Sequence, residues 1–194
     1  KHMIPLYHIL VHIPSAVNDT IKVGESELYL DTKFNEFQHR TMKARVVGIP
    51  AKFKSELEIG DYVFHHHHVA LNDTQVVDPK EKIYRVNYDP FGGQGNQAYL
   101  IEKPDGSLIA VADWVFLEPF DIDADKEKSF IEIITLKEPE KRWGRIVYGS
   151  QWLEEEGLAV GDVVYFAKDA DYEMDINGRK LWRMQIHHLI CQKL

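Results

Sequence analysis

Two stretches of the chain, about a hundred residues apart, repeat the same order of residue types, and this internal repeat limits the fold more than any other feature. The first copy covers residues 44–64 and the second covers 144–165, and each carries a Gly-Asp pair, at 60–61 and at 161–162. In both copies, β-branched and aromatic residues lie on either side of a glycine that tolerates positive φ. The pattern predicts a strand, a connection, a turn and a second strand. The Gly-Asp pair is therefore predicted to form a turn and not a catalytic pair.

The similarity extends beyond these hairpins in both directions. Upstream, His8–Pro14 resembles Asp113–Pro119, and each segment is typical of a strand that a proline ends. Downstream, apolar strands are predicted at 108–117 and 181–190, each after a turn glycine. The segment Asp113–Pro119 thus matches both the last strand of the first copy and the first strand of the second.

Two tandem units are therefore predicted, at 3–115 and 116–194, with their boundary between residues 108 and 120. Lys1 and His2, before Met3, are interpreted as vector-derived. The second Gly-Asp pair lies much nearer to its closing strand than the first does, so the first unit is predicted to hold an insertion at about 70–97. The many turn residues there indicate a long hairpin or a surface loop.

Composition narrows the class of protein. The frequent turns between short apolar runs predict an all-β, barrel-like chain with a single helical turn at 153–156. With 31 acidic and 23 basic residues the net charge is −8, which is the wrong sign for binding to nucleic acid through phosphates. The only cysteine, Cys191, excludes an intramolecular disulfide, and no apolar run approaches the ~20 residues of a membrane span. A cytoplasmic protein without membrane attachment is expected.

The order of these motifs resembles the unit of the chaperonin-10 (GroES-type) co-chaperonin family. That unit has an opening strand, a polar segment, a Gly-Arg-Val-Val-like strand, a Gly-Asp-x-Val turn and an apolar closing strand. Residues 144–147 and 160–166 fit this order, whereas the first copy has Ala44 where the family has glycine. The resemblance covers most of the chain. It implies two tandem GroES-like, partly open β-barrels, with the long loop insertion in the first.

The resemblance also implies a mobile docking loop between the first two strands of each unit. In the first unit the matching segment is 18–35, and its short apolar stretch predicts chaperonin-binding residues that we list as Leu28, Tyr29 and Leu30. A polar segment with a small apolar island cannot bury enough area to order alone, but it can order in a partner's groove. In the second unit the matching segment is 121–140, where a second loop would use Ile131, Ile133 and Ile134. That segment lacks the glycine of the family's loop, so the apolar run there also fits an ordinary strand.

By resemblance, the expected function is that of a co-chaperonin and not of an enzyme. A homo-oligomeric ring of such subunits would bind the rim of a GroEL-type chaperonin cylinder and cap its folding chamber. The chain itself would need no cofactor and no metal, since the ATP is bound by the partner. The residues 27–32 also resemble bacteriophage versions of the family, which would place the protein in the host cytoplasm.

Four consecutive histidines, His65–His68, provide the main alternative. If the strand continued through them, alternate histidines would share a face and could hold zinc or nickel together with a carboxylate. A metal-dependent β-barrel enzyme is therefore the second hypothesis, and a structural assembly β-protein is the third. A structural or solvent-facing role for the histidines is favoured, because no further ligand follows at a recognisable spacing.

Other chemical motifs are weaker. Gly92–Gly95 lacks the Lys-Ser/Thr of a phosphate-binding loop and is predicted to be a loop tip. Asp121, Asp123 and Asp125 lack the glycine that a calcium loop needs at its sixth position, so a solvated loop is predicted. Cys191 lies in an apolar strand, which predicts a buried and inert thiol.

Overall fold

The computed structural model describes residues 3–16, 20–23, 26–29, 40–52, 56–92, 95–122 and 142–193, with strands 20–23 and 26–29 described by their backbone alone. The chain divides into two compact units, Lys1–Val111 and Ala112–Leu194. Antiparallel strands dominate both units, so the predicted all-β class is confirmed. Among the described residues, no helix has the length and hydropathy that crossing a membrane requires.

The first unit is built on a seven-stranded antiparallel sheet. The strands of this unit are β1 (Ile9–His12), β2 (Thr20–Val23), β3 (Ser26–Tyr29), β4 (Lys43–Gly48), β5 (Tyr62–His65), β6 (Val76–Asp78), β7 (Ile83–Val86), β8 (Ala98–Glu102) and β9 (Leu108–Ala110). Their order across the sheet is β6-β7-β1-β4-β5-β8-β9, and β2 and β3 pair separately with each other. The inward residues of the central strands are β-branched or aliphatic, as in a core that faces one side of a sheet: Val11, Val46 and Val63 are fully buried.

The second unit has a six-stranded antiparallel sheet. Its elements are β10 (Trp114–Pro119), β11 (Trp143–Tyr148), α1 (Gln151–Glu155), β12 (Val163–Phe166), β13 (Tyr172–Ile176), β14 (Arg179–Gln185) and β15 (Leu189–Gln192), in the sheet order β13-β14-β10-β11-β12-β15. The predicted helical turn is α1, which begins where the Ser150 side chain accepts a hydrogen bond from the Trp152 amide. Leu153 on this helix joins a core that includes Leu117, Ile146 and Phe166.

The two sheets share one strand order. Across each sheet, a hairpin lies beside the opening strand: β6–β7 beside β1, and β13–β14 beside β10. On the other side of the opening strand, the next three strands are β4, β5 and β8 in the first sheet and β11, β12 and β15 in the second. The register is irregular at the same place in both, between Leu10 and Val11 on β1 and between Phe116 and Leu117 on β10. The repeat seen in the residues is therefore also a repeat of topology.

This correspondence changes the interpretation of the predicted insertion at 70–97. The segment contains β6 and β7, and β7 pairs with β1 as β14 pairs with β10. The hairpin is thus a shared part of the repeated sheet and not an addition to the first unit. Within the seven-stranded sheet, the strand without a counterpart among the described strands of the second unit is β9, which pairs with β8.

The ambiguous segment around Asp113 is resolved by pairing. The strand predicted at 108–117 is in fact two strands, β9 and β10, separated by Ala112 with a φ of 49°. Strand β10 pairs with β11 and β14, so it belongs to the second unit. A positive φ interrupts the extended backbone, which is why one apolar run forms two strands.

The predicted Gly-Asp turns are confirmed. Gly60 and Gly161 have φ values of 104° and 99°, which a residue with a Cβ rarely adopts. In each turn the aspartate side chain accepts the amide three residues earlier: Glu58 donates to Asp61 and Ala159 donates to Asp162, both at 2.8 Å. The chemistry of the pair is that of a capped turn.

Neither sheet closes on itself within the described residues. The outer strands are β6 and β9 in the first unit and β13 and β15 in the second, and no pairing joins either couple. The architecture that is established is thus two antiparallel sheets of matching order.

Candidate functional site

The chain leaves the first sheet after β1 and returns at β4, and hydrogen bonds close the base of this excursion. The Thr41 amide donates to the carbonyl oxygen of Ala16 at 3.1 Å, and the Thr41 hydroxyl donates to the carbonyl oxygen of Ser15 at 2.7 Å. Because β1 and β4 are neighbours in the sheet, both ends of the excursion lie at one place. We call residues 17–40 the β1–β4 segment; it contains the whole of the predicted docking loop, 18–35.

Within this segment, β2 and β3 form a hairpin of their own. The register places Thr20 opposite Tyr29 and Ile21 opposite Leu28, and among the described strands these two pair only with each other. Of the three predicted docking residues, Leu28 and Tyr29 lie on β3, and Leu30 lies outside the described residues. Two of the three predicted docking residues therefore belong to a strand.

The register also separates the predicted docking residues. Consecutive residues of a strand belong to opposite faces, and directly opposed residues share a face. Leu28 therefore shares a face with Ile21, whereas Tyr29 shares the other face with Thr20. Ile21 was not singled out from the sequence, because only the pairing of β2 with β3 brings it beside Leu28.

The second unit has an excursion at the equivalent place. It leaves after β10 and returns at β11, and the Phe120 amide donates to the carbonyl oxygen of Trp143 at 3.0 Å at its base. The candidate residues of this second loop, Ile131, Ile133 and Ile134, lie outside the described residues, as does most of the acidic run at 121–127.

The histidine run does not continue a strand. Strand β5 ends at His65, and His66–His68 lie in the turn that follows. The prediction that alternate histidines share a strand face is therefore wrong, because a turn begins one residue into the run. Instead, one ring nitrogen from each of His66, His67 and His68 lies within 4.8 Å of the others.

His65 differs from the other three histidines. It is fully buried, and burial lowers the pKa of its imidazole from 6.5 to about 4, because desolvation disfavours the charged ring. Its Nδ1 lies 3.0 Å from the carbonyl oxygen of His66, and since a carbonyl can only accept, Nδ1 carries the proton and donates. This hydrogen bond raises the pKa of His65, but burial lowers it by more. His65 therefore supports the backbone of the turn.

Two further sequence predictions meet different outcomes. Cys191 is exposed, so the prediction of a buried thiol is wrong; β15 is an outer strand, and its apolar residues are not covered on both faces. Around the glycine run, the Asp89 side chain accepts the Phe91 amide at 2.9 Å, and Phe91 is 71% exposed. That arrangement is typical of the loop tip that the sequence predicts.

No family model matches the chain, and no curated protein matches it.

Proposed function

We propose that the chain is a co-chaperonin of the GroES type and not an enzyme. One observation carries the proposal: a separate hairpin, β2–β3, lies in the connection between the neighbouring strands β1 and β4. It pairs with no other strand of the described chain, and hydrogen bonds of Thr41 close the base of the connection. The repeat of the same strand order in the second unit, with an excursion at the same place, supports the family assignment, as does the order of the sequence motifs. The finer fold, a GroES-like partly open β-barrel, is part of the same proposal.

In this function the hairpin is the docking element. The face shared by Ile21 and Leu28, together with Leu30, supplies the apolar contact with the rim of a GroEL-type chaperonin. Ordering a flexible segment costs about 2 to 5 kcal/mol, so one hairpin with so few apolar residues binds weakly. Several hairpins on one homo-oligomeric ring raise the affinity through effective concentration.

The partner supplies the chemistry of the cycle. The ATP is bound by the chaperonin, and the co-chaperonin binds and releases as the nucleotide state changes. Two units in one chain complicate a ring of sevenfold symmetry. In our proposal, at least the first unit docks through its hairpin, while the loop of the second unit, with Ile131, Ile133 and Ile134, is a second candidate contact.

The proposal is tested by mass photometry of the protein mixed with a bacterial chaperonin, with and without ATP. The wild type should form a complex that depends on nucleotide. Leu28→Asp combined with Leu30→Asp should weaken this complex by at least about tenfold, because two charges would enter an apolar groove. Circular dichroism should show an unchanged fold, since no other strand that the structure describes pairs with the hairpin.

Two matched variants sharpen the test. Val160→Asp makes the same apolar-to-acidic change at a position that is 64% exposed in the second unit, and it should leave the complex intact. Ile133→Asp with Ile134→Asp asks whether the second loop also docks. Unchanged capture of the Leu28 and Leu30 double variant would refute the docking assignment. Absence of any complex with the wild type would refute the co-chaperonin function and favour the structural or metal-dependent hypotheses.

A further inference from the structure

Three imidazole rings meet in the turn between β5 and β6. The ring centroids of His66 and His67 are 4.2 Å apart, those of His67 and His68 are also 4.2 Å apart, and those of His66 and His68 are 4.8 Å apart. His66 and His67 are half-buried and His68 is exposed. Three consecutive side chains of an extended strand would point alternately to opposite faces, so only the turn brings them together.

The backbone of this turn is held in place from both sides. The His66 amide donates to the carbonyl oxygen of Gln97 at 2.9 Å, and the His66 carbonyl accepts from Val69 at 3.0 Å. The His68 carbonyl accepts from the amides of both Leu71 and Asn72. Val69 is fully buried and anchors the end of the histidine run in the core. These hydrogen bonds and the buried Val69 therefore hold the backbone that carries the three rings.

We propose that His66, His67 and His68 bind one divalent transition-metal ion of the zinc type. Neutral imidazole nitrogen is a preferred ligand of Zn²⁺, Ni²⁺ and Cu²⁺, and three of them with a water complete a tetrahedral zinc site. Zn–N bonds of about 2.0–2.1 Å imply nitrogens about 3.4 Å apart. The three nitrogens lie within 4.8 Å of one another, which is close to this spacing.

Metal binding would break a hydrogen bond of His66. The His68 amide donates to Nδ1 of His66 at 3.1 Å, which places the proton of that ring on Nε2. A metal at either nitrogen of His66 requires this hydrogen bond to be lost, either because Nδ1 takes the metal or because the ring changes tautomer. The His68 amide is therefore a reporter of occupancy that does not depend on any activity.

The metal site is independent of the proposed co-chaperonin function. It lies between β5 and β6, whereas the proposed docking element lies between β1 and β4. His68 is exposed, so a water molecule can supply the fourth ligand. The role that follows directly from the geometry is to fasten the turn that joins β5 to the β6–β7 hairpin.

The test is calorimetric titration of chelator-treated, tag-free protein with ZnCl₂, with MgCl₂ as the control ion. One Zn²⁺ should bind per chain with a micromolar or lower Kd, and Mg²⁺ should not bind. Each of the single variants His66→Asn, His67→Asn and His68→Asn should weaken binding at least about tenfold, since even loss of an outer-shell partner costs 10- to 100-fold. The His68 amide resonance should shift on saturation.

A matched control is available in the second unit. His187 and His188 are also adjacent, with ring centroids 4.1 Å apart, and His187→Asn should leave zinc binding unchanged. The proposal is overturned if the three cluster variants bind zinc as the wild type does, if saturation needs millimolar metal, or if His187→Asn is the variant that loses binding. A His68 amide that does not move at saturation would also overturn it.

Discussion

Asp61 and Asp162 occupy the same position in the two Gly-Asp turns, but their surroundings differ. Both side chains accept a backbone amide at 2.8 Å. Asp61 is 1% exposed and also pairs with Lys103 at 2.9 Å, whereas Asp162 is half-buried. A carboxylate that is both buried and paired contributes more than a turn cap alone, because its removal also takes the ion-pair partner from Lys103, which is left with the carbonyl oxygen of Glu56.

We therefore expect Asp61→Ala to lower the free energy of unfolding by about 2–4 kcal/mol, and Asp162→Ala to lower it by about 1 kcal/mol. Urea denaturation followed by circular dichroism measures both values. Lys103→Met removes the cation and keeps the aliphatic stem. Added to Asp61→Ala, it should recover part of the lost free energy of unfolding. Equal losses from the two aspartate variants would show that the buried ion pair contributes nothing beyond the cap.

At this scale, the sequence predicts what is local. The positive φ at Gly60 and Gly161 follows from the glycine itself and its strand-forming neighbours. The exposure of Cys191 and the meeting of His66 with His68 do not follow, because each depends on where a strand ends or on which strand lies at the sheet edge. Those facts are set by tertiary pairing.

Among the elements, the β2–β3 hairpin is the least supported by pairing. Its two strands have four residues each and, within the described part of the chain, pair only with each other; two-stranded hairpins of this kind are marginally stable in water. We expect backbone amides of residues 20–29 to exchange rapidly in the isolated protein and more slowly, by at least about tenfold, in the chaperonin complex. Hydrogen exchange with mass spectrometry measures both states.

The internal control for this experiment is β4, which lies between two paired neighbours in the sheet and should exchange slowly in both states. Slow exchange of residues 20–29 in the isolated protein, comparable to that of β4, would contradict the expectation. It would mean that the hairpin is stabilised before any partner binds.

Strand positions were more predictable than strand partners. Alternating apolar residues mark β4 and β11 directly, because Val46 and Ile146 are buried and Arg45 and Arg145 are exposed. The place of β7 was missed, since it pairs with β1 more than seventy residues earlier and nothing local identifies that partner. The segment 70–97 was therefore interpreted as an insertion, although it supplies two strands of the sheet.

For the whole molecule, the division at Val111 and Ala112 predicts two independent folding units. The second has its own sheet and core, and Asp113 ties the start of the unit to its end: its carbonyl accepts the Ile186 amide at 2.8 Å and its side chain accepts Gln185 at 2.9 Å. We expect a fragment of residues 112–194 to unfold cooperatively on heating, as followed by circular dichroism and one-dimensional NMR.

A shorter fragment provides the control. Residues 117–194 lack Trp114 and Val115, which pair with Gln185 and Met184 on β14, so this fragment should show no cooperative transition. A fragment of 112–194 that binds a hydrophobic dye and melts without cooperativity would contradict the expectation.

The closed base of the β1–β4 segment has a consequence for how such a protein diversifies. Thr41 holds the two ends of the segment together through Ser15 and Ala16, while the sheet below is completed by β1 and β4 themselves. The residues of the segment can thus be exchanged for those of another loop without a change in the register of β1 with β4. In the proposed function, selection on the choice of partner would thereby be separated from selection on folding.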